Sequence, residues 1–327
     1  MPKKKSPPAP VRKANDNAAR IARETKGRLF TLRDWLRYAT SLFNAQKLFF
    51  GQGAPDATAE AVWLLRHALH LPRNDELWAQ FLDARLTEDE AAALCEVLAR
   101  RAFGREPAAY ITGEAWLGEH SFRVDPRVII PRSYFLEIIP GQLQDWLGDV
   151  DAPMRAADVC TGSGCLAILL ALACPETVID ATDLSTAALE VAALNVADYG
   201  LRDRIHLHRA DVLEGVPPDS LPAGGYDIIL CNPPYEPEDV LKNLPEEFRK
   251  EPPQALVSGP EGMDVIRRLL AQSTRLLAPN GILLIEVGGL REKLEAEYPA
   301  LEFNWLPTHD ASDCIALLHA TNLRATL

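Results

Sequence analysis

From residue 156 onward, short apolar runs alternate with helical patterns, and this alternation constrains the fold more than any other feature of the sequence. The predicted strands cover residues 156–160, 177–182, 205–208, Tyr226–Cys231, 282–287, 301–306 and 314–318. Strands separated by helical patterns form βαβ units with parallel strands. The sequence therefore predicts an α/β fold with a doubly wound sheet.

The predicted strand Tyr226–Cys231 runs directly into Asn232, Pro233, Pro234 and Tyr235. Two consecutive prolines exclude both a helix and a continued ladder, so the strand must end there. Ligands bind at the carboxyl ends of strands in open α/β sheets. An asparagine carbonyl accepts a hydrogen bond from an NH2 group, and a tyrosine ring offers a flat face. The tetrapeptide predicts a holder for an amide or amine nitrogen, with a plain proline-rich loop as the alternative.

A glycine turn follows the first predicted strand, where Thr161, Gly162, Ser163 and Gly164 lead into an apolar helical run. The turn is not a Walker loop, because no Gly-Lys-Ser/Thr follows, and it lacks the third glycine of the dinucleotide fingerprint. Asp183 lies nineteen residues after Gly164 at the end of the second strand, where an acid accepts hydrogen bonds from ribose hydroxyls. Asp211 follows the third strand.

Four successive strand ends thus carry a glycine turn, two acids and an NH2-orienting motif, and this order resembles a class I S-adenosylmethionine-dependent methyltransferase (Rossmann-like). Asn-Pro-Pro-Tyr together with Asp-Val-Cys-Thr-Gly-Ser-Gly and a helical N-terminal part is similar to the protein-(glutamine-N(5)) methyltransferases. The resemblance covers roughly residues 29–320. It implies an enzyme with the cofactor S-adenosyl-L-methionine that methylates a glutamine side-chain amide.

Four stretches favour the branch that modifies ribosomal protein L-three over the release-factor branch. They are 110–116 (Tyr-Ile-Thr-Gly-Glu-Ala-Trp), 130–133 (Ile-Pro-Arg-Ser), 244–252 (Leu-Pro-Glu-Glu-Phe-Arg-Lys-Glu-Pro) and 259–264 (Gly-Pro-Glu-Gly-Met-Asp). Release-factor enzymes look more like Pro-Arg-Pro-Asp-Thr-Glu where this chain has Pro-Arg-Ser-Tyr-Phe-Leu-Glu at 131–137. The implied partner is therefore the large-subunit ribosomal protein L-three, with a release factor as the alternative substrate.

The resemblance also implies roles for individual residues. Catalysis falls to Asn232, Pro233 and Tyr235, and the substrate amide is held by Asn232, Pro233, Pro234 and Tyr235. The implied cofactor-binding residues are Asp158, Cys160, Thr161, Gly162, Ser163, Gly164, Asp183, Asp211, Val212 and Asn232. Segment 236–263 contains five prolines and is long for a connection, which favours a substrate-gripping lid over a structural cover.

Composition divides the chain into four predicted parts: a disordered basic tail (1–28), a helical substrate-recognition domain (29–104), a β-hairpin linker (105–138) and the methyltransferase domain (139–327). The tail has nine Lys/Arg and two acids, so its net charge is +7. Since the whole chain has a net charge of −12, the remaining residues carry −19. An acidic body argues against stable nucleic-acid binding, apart from a weak contact by the tail. It also disfavours the alternative of an adenine-amino methyltransferase acting on DNA or RNA.

The remaining composition favours a cytoplasmic protein. No apolar run approaches the roughly 18 residues of a membrane helix, and no apolar core follows the N-terminal lysines as in a signal peptide. The six cysteines form no CxxC pair and several lie in apolar segments, which indicates free thiols in a reducing compartment. No histidine pair has further metal-type ligands nearby, so no metal is expected. A non-catalytic nucleotide-binding scaffold remains the alternative from another class, although it would not need an amide holder.

Overall fold

The computed structural model describes residues 9–327, with side chains from Asp16 onward. The chain divides into two compact units. The first comprises the residues up to Gly113 together with 245–250, and the second comprises residues 114–244 and 251–327. The predicted boundaries after residues 104 and 138 are therefore wrong: the helical unit continues to Gly113, and it includes a short segment from much later in the chain. No composition signal marks such an insertion.

The first unit is helical. Its helices are α1 (Ala9–Thr25), α2 (Leu32–Ala45), α3 (Ala57–Ala68), α4 (Asp75–Phe81), α5 (Glu88–Gly104) and α6 (Ala108–Thr112). Apolar side chains at helical spacing meet in one core, in which Trp35, Phe43, Leu64 and Leu98 are fully buried. The N-termini of α2, α3 and α5 are capped by side chains, since Thr31 with Asp34 and Thr87 with Glu90 form capping boxes and Asp56 caps α3.

Helix α1 corrects the prediction of a disordered tail over residues 1–28, of which 1–8 lie outside the described residues. The segment is poor in apolar side chains, but Ile21 is only 1% exposed in the core of the helical unit. Tyr38 Oη donates to Glu24 at 3.1 Å, and the Arg20 guanidinium lies over the Phe103 ring at 5.5 Å. Contacts with α2 and α5 therefore order a helix that its own composition does not predict.

A buried ion cluster lies within the helical unit. Arg101, 1% exposed, forms ion pairs with Glu60 on α3 and, at 3.3 Å, with Glu247 from the inserted segment. Arg105 Nη1 also contacts Glu247 at 3.0 Å, and Arg101 Nη2 donates to the Phe49 carbonyl at 2.8 Å. Two acids and two arginines thus balance their charges out of water, which is the condition for tolerating buried ions.

The second unit is a mixed α/β layer structure. Before its large sheet come β1 (Glu114–Leu117), β2 (His120–Arg123), α7 (Phe135–Ile138) and α8 (Leu143–Leu147). The sheet and its helices then follow as β3 (Arg155–Val159), α9 (Cys165–Ala173), β4 (Val178–Asp183), α10 (Thr186–Asp198), β5 (Ile205–Arg209), β6 (Tyr226–Cys231), α11 (Asp264–Leu276), β7 (Leu277–Glu286), α12 (Arg291–Glu297), β8 (Asn304–Leu306), β9 (Ile315–His319) and α13 (Ala320–Thr326).

The large sheet has seven strands in the order β5-β4-β3-β6-β7-β9-β8, which confirms the predicted doubly wound α/β fold. Strands β3 to β7 are parallel to one another, and β9 is antiparallel to both β7 and β8. The central strands β3, β6 and β7 carry apolar side chains on both faces and separate two hydrophobic cores. From β3 the chain adds β4 and β5 on one side and then continues with β6 on the other side. The strand order therefore reverses between β3 and β6, which is where such sheets form a ligand crevice.

The segment predicted as a hairpin linker contains a shorter hairpin than expected. Strands β1 and β2 pair antiparallel with Leu117 opposite His120, so the turn comprises Gly118 and Glu119. Tyr110 to Thr112, however, belong to α6, and residues 124–130 form no strand. Tyr110 and Ile111 are buried in that short helix, so local apolar character was a poor guide to strand geometry there.

Candidate functional site

The four strand ends singled out in the sequence lie side by side. Val159 at the end of β3 pairs with Thr182 of β4 on one side and with Cys231 of β6 on the other. Asp183 pairs with Arg209 at the end of β5. Because these strands are parallel, the residues that follow them share one edge of the sheet. The structure therefore brings the glycine turn, both acids and Asn-Pro-Pro-Tyr to the same edge.

Asp158 organises the glycine turn from below. It is fully buried, and its Oδ2 accepts hydrogen bonds from Thr161 Oγ1 at 2.5 Å and from the Ala167 amide of α9 at 3.0 Å. This carboxylate takes the place of an N-cap side chain, because Gly164 at the N-cap has none. Gly164 has φ +80°, and a Cβ there would approach Ala192 Cβ to 3.3 Å. Glycine is therefore required where the turn meets α10.

Asp183 closes the other side of the turn. Its carboxylate accepts from the Gly162 amide at 3.0 Å and from the Ser185 amide at 2.8 Å. Burial raises the pKa of Asp183, and burial together with the charge of Asp183 raises the pKa of Asp158 to about 7. Oδ1 of Asp158 has no hydrogen-bond partner among the described residues. Two crowded carboxylates beside an open glycine turn fit a ligand that carries positive charge and hydroxyl donors.

Asp211 and Val212 follow β5 and close the sheet edge on that side. Asp211 Oδ1 lies 3.1 Å from Arg268 Nε of α11, so its carboxylate already has a cationic partner. Val212 is buried with φ +60°, and its carbonyl accepts from Thr182 Oγ1 at 2.6 Å. The two residues thus present a fixed apolar and acidic corner beside β4.

The side-chain nitrogen of Asn232 faces acceptors. Nδ2 donates to the Arg132 carbonyl at 3.5 Å, and the amide lies beside the Glu286 carboxylate, whose pKa it lowers. Oδ1 accepts no hydrogen bond from a described side chain or amide. The amide is therefore left with one free acceptor at the sheet edge, which is what an NH2 holder requires.

Tyr235 packs against a glycine at the end of the next strand. Gly288 has φ +51°, and a Cβ at that position would lie 2.6 Å from Tyr235 Cε2, so any side chain would displace the ring. Burial raises the pKa of the Tyr235 phenol, so it stays protonated. Pro233 is buried and Pro234 partly buried between them. The ring orientation is thus set by a backbone approach that only glycine permits.

Several site residues were missed by the sequence reasoning. Glu286 at the end of β7 is buried, and its Oε2 accepts from Ser133 Oγ at 2.5 Å and from the Tyr134 amide at 3.2 Å. Arg132 Nη1 binds both oxygens of buried Glu251, at 2.9 and 3.0 Å. A usable signal existed for Glu286, because it is an acid after a buried apolar run, as Asp183 is. That strand was instead read as extending to Val287.

The remaining features of the chain are its cysteines, its helix lengths and its possible metal ligands. All six cysteines are free, and Cys160 and Cys231 lie next to each other at the ends of β3 and β6. Among residues 9–327, no helix is long and apolar enough to cross a membrane. The same part of the chain has no group of three or more His, Cys, Asp or Glu side chains placed to hold a metal ion.

Comparisons with known proteins match both units. Residues 147–277 match the family model "Methyltransferase small domain", and residues 34–113 match "PrmC N-terminal domain". The ribosomal protein uL3 glutamine methyltransferase of Bordetella pertussis is 48% identical over 89% of this chain and 95% of that protein. The protein of the same name from Burkholderia pseudomallei is 45% identical over 90% of this chain and 96% of its own. A solved ribosomal protein L11 methylase from Lactobacillus delbrueckii subsp. bulgaricus is 19% identical with a TM-score of 0.40, covering 61% of this chain and 83% of that one.

Proposed function

Because the chain belongs to the ribosomal protein uL3 glutamine methyltransferases, we propose that it transfers a methyl group from S-adenosyl-L-methionine to the side-chain amide nitrogen (N5) of a glutamine in uL3. Family membership confirms the resemblance drawn from the motifs and the S-adenosylmethionine-dependent class. The observation that carries the chemistry is Oδ1 of Asn232, which accepts no hydrogen bond from the described residues, while Nδ2 donates to the Arg132 carbonyl and the amide lies beside the Glu286 carboxylate. A release factor is the alternative substrate.

The amide nitrogen of glutamine is a weak nucleophile, because its lone pair is delocalised into the carbonyl. When bound, the cofactor supplies a methyl group on a sulfonium, which is already a strong electrophile. The protein must therefore hold and aim the nitrogen more than activate it. Asn232 Oδ1 and the Pro233 carbonyl accept the two amide hydrogens, and the Tyr235 ring packs against the amide plane. Proton loss follows transfer, so no strong base is needed at the site.

The residues around the glycine turn fit the cofactor. Cys160 to Gly164 and Asp158 would hold its amino-acid part, Asp183 its ribose hydroxyls, and Asp211 with Val212 its adenine. Burial and the charge of Asp183 raise the pKa of Asp158, whose Oδ1 is unpartnered, so a cationic ligand at the turn would favour the ionised form of both acids. Asp211 would offer its second oxygen, since Oδ1 is engaged by Arg268.

The loop 236–263 is the segment we assign to gripping the substrate. Its base is closed by a bridge between Glu236 and Val257, with Glu236 N donating to the Leu256 carbonyl at 2.8 Å and Ser258 N to the Glu236 carbonyl at 3.0 Å. The loop therefore begins and ends beside Tyr235. An acidic body would speed the encounter with a basic ribosomal protein in a salt-dependent way. We propose that an enzyme with such a substrate acts in the cytoplasm and, because its body is acidic, binds nucleic acid at most weakly.

Mass spectrometry of ribosomal proteins from cells that lack this protein tests the proposal. We expect uL3 to be lighter by one methyl group, with the mass restored by the wild-type gene and not by an Asn232→Ala gene. An unchanged uL3 together with a lighter release factor would move the enzyme to the sister branch. Unchanged ribosomal proteins and release factors would reject the proposed substrates.

Asp183→Ala should weaken binding of S-adenosyl-L-methionine by roughly 1–3 kcal/mol, because a charged acceptor for hydroxyl hydrogen bonds is lost. The same carboxylate also holds the Gly162 amide, so Asp183→Asn should have a smaller effect. Titration calorimetry measures the affinity. Asp198→Ala is the matched control, since that acid makes only an exposed ion pair with Arg123. An unchanged affinity in folded Asp183→Ala would remove Asp183 from the cofactor site.

A further inference from the structure

Glu286 ends β7, the strand beside β6 in the sheet. Cys231 pairs with Ile285, so the next residues along the two strands, Asn232 and Glu286, emerge at the same edge. Glu286 is only 4% exposed and follows the fully buried run Ile282 to Ile285. A carboxylate in such a place is costly unless several donors reach it. The hydrogen-bond donors around Glu286 therefore indicate whether this carboxylate has a function at the site.

Two donors hold this carboxylate, since Ser133 Oγ and the Tyr134 amide both donate to Oε2. The Asn232 side chain emerges at the adjacent strand end and contacts the same stretch through the Arg132 carbonyl, and it favours the charged form of Glu286 and so lowers its pKa. An ionised carboxylate only accepts, so Asn232 must present Nδ2 to it. The other Nδ2 hydrogen meets the Arg132 carbonyl, which is also only an acceptor. A flipped Asn232 amide would set Oδ1 against two acceptors, so the surroundings allow one orientation.

We infer that Glu286 is a positioning residue that fixes the amide orientation of Asn232, so that Oδ1 and not Nδ2 faces the substrate nitrogen. The inference rests on the proposed function, in which Asn232 accepts a hydrogen bond from a glutamine amide. Glu286 touches neither substrate nor cofactor in this role and acts through Asn232 alone. Ser133 and Tyr134 hold the carboxylate in place, which gives the Ile-Pro-Arg-Ser stretch a function at the site.

Ionisation of Glu286 matters for this role, because a protonated carboxyl can donate to Oδ1 and so support the wrong orientation. Burial raises the pKa of Glu286 to about 7, while the Ser133 hydrogen bond and the charge of Arg132 lower it. The other titratable groups facing it are Tyr235 and Cys314, whose pKa values are raised, so both stay neutral. The ordering of Asn232 is therefore present above pH 7 and lost as the pH falls through about 7.

The test is a double-mutant cycle on single-turnover methyl transfer, with cofactor affinity measured in parallel. Glu286→Gln should slow transfer by roughly 10- to 100-fold, the range expected for loss of a hydrogen bond to a charged group, and leave cofactor affinity unchanged. In the Asn232→Ala background the same substitution should cost less than about twofold, because its target is gone. If Glu286 had a purely structural role, Glu286→Gln would instead slow methyl transfer by the same factor with and without Asn232→Ala.

The pH profile provides the second readout. The wild-type rate should fall below pH 7, and Glu286→Gln should remove this limb. Ser133→Ala should move the limb to higher pH, because the Ser133 hydrogen bond lowers the pKa of Glu286. Additive losses in the cycle, or the same acid limb in Glu286→Gln, would overturn the inference while leaving the proposed function intact. A wild-type enzyme that methylates no glutamine would overturn the proposed function and this inference with it.

Discussion

Asn232→Ala should slow single-turnover methylation by about 100-fold or more, the scale seen when one positioned hydrogen-bonding group is removed from a transition state. Cofactor affinity should remain close to that of the wild type, because the glycine turn and Asp183 are unchanged. Rapid-quench measurements with labelled cofactor give the rate, and calorimetry gives the affinity.

Asn232→Asp is the sharper variant of the same experiment. Aspartate keeps an oxygen acceptor and the shape of the side chain, but it sets a second oxygen against the Glu286 carboxylate and the Arg132 carbonyl. We therefore expect a loss comparable to that of alanine. Asn304→Ala is the matched control, since Asn304 is exposed on edge strand β8 and should leave the rate unchanged. A wild-type rate in Asn232→Ala would contradict the amide-holder mechanism.

Arg101→Met should reduce the free energy of unfolding of the helical unit by about 3–5 kcal/mol, the cost of leaving buried acids without their cation. Glu60 would lose its cationic partner, and Glu247 would keep Arg105 as its one remaining cationic partner among the described residues. Urea denaturation of the full chain, followed by the fluorescence of the buried Trp35 and Trp78, measures the change. Loss of the ion pair between Arg101 and Glu247 should also make segment 245–250 more susceptible to proteolysis.

A matched surface variant separates charge removal from burial. Arg33→Met removes an exposed ion pair with Asp83 in the same unit, where both side chains are more than half exposed, and should leave the free energy of unfolding close to that of the wild type. Adding Glu60→Gln to Arg101→Met should recover part of the lost stability, because one uncompensated charge is removed. Equal denaturation midpoints for Arg101→Met and Arg33→Met would show that the buried cluster contributes nothing.

The sheet edge was predictable from sequence because its signals are local. Consecutive prolines end β6 at Asn232, and glycines with an acid at fixed distance mark the ends of β3 and β4. Each depends on residues close together in the chain, so spacing alone reveals it.

The residues that support the site were not predictable in the same way. Glu286 acts on Asn232 only because β7 lies beside β6, and it is held by residues about 150 positions earlier in the chain. The insertion of 245–250 into the helical unit likewise depends on the distant pair Glu247 and Arg101. Helix α1 was misjudged because one buried residue, Ile21, and its tertiary contacts outweigh a polar composition. Long-range pairing, invisible to periodicity, decides all three.

One assay measures directly whether the enzyme methylates a glutamine of free uL3. The purified enzyme is given labelled S-adenosyl-L-methionine with free uL3, assembled ribosomes, release factor or DNA, and the labelled residue is identified by tandem mass spectrometry. We expect label on one glutamine side chain of free uL3, and slower labelling of assembled ribosomes, where a folded glutamine cannot reach the sheet edge. Preferential labelling of release factor, or labelling of DNA alone, would contradict the claim.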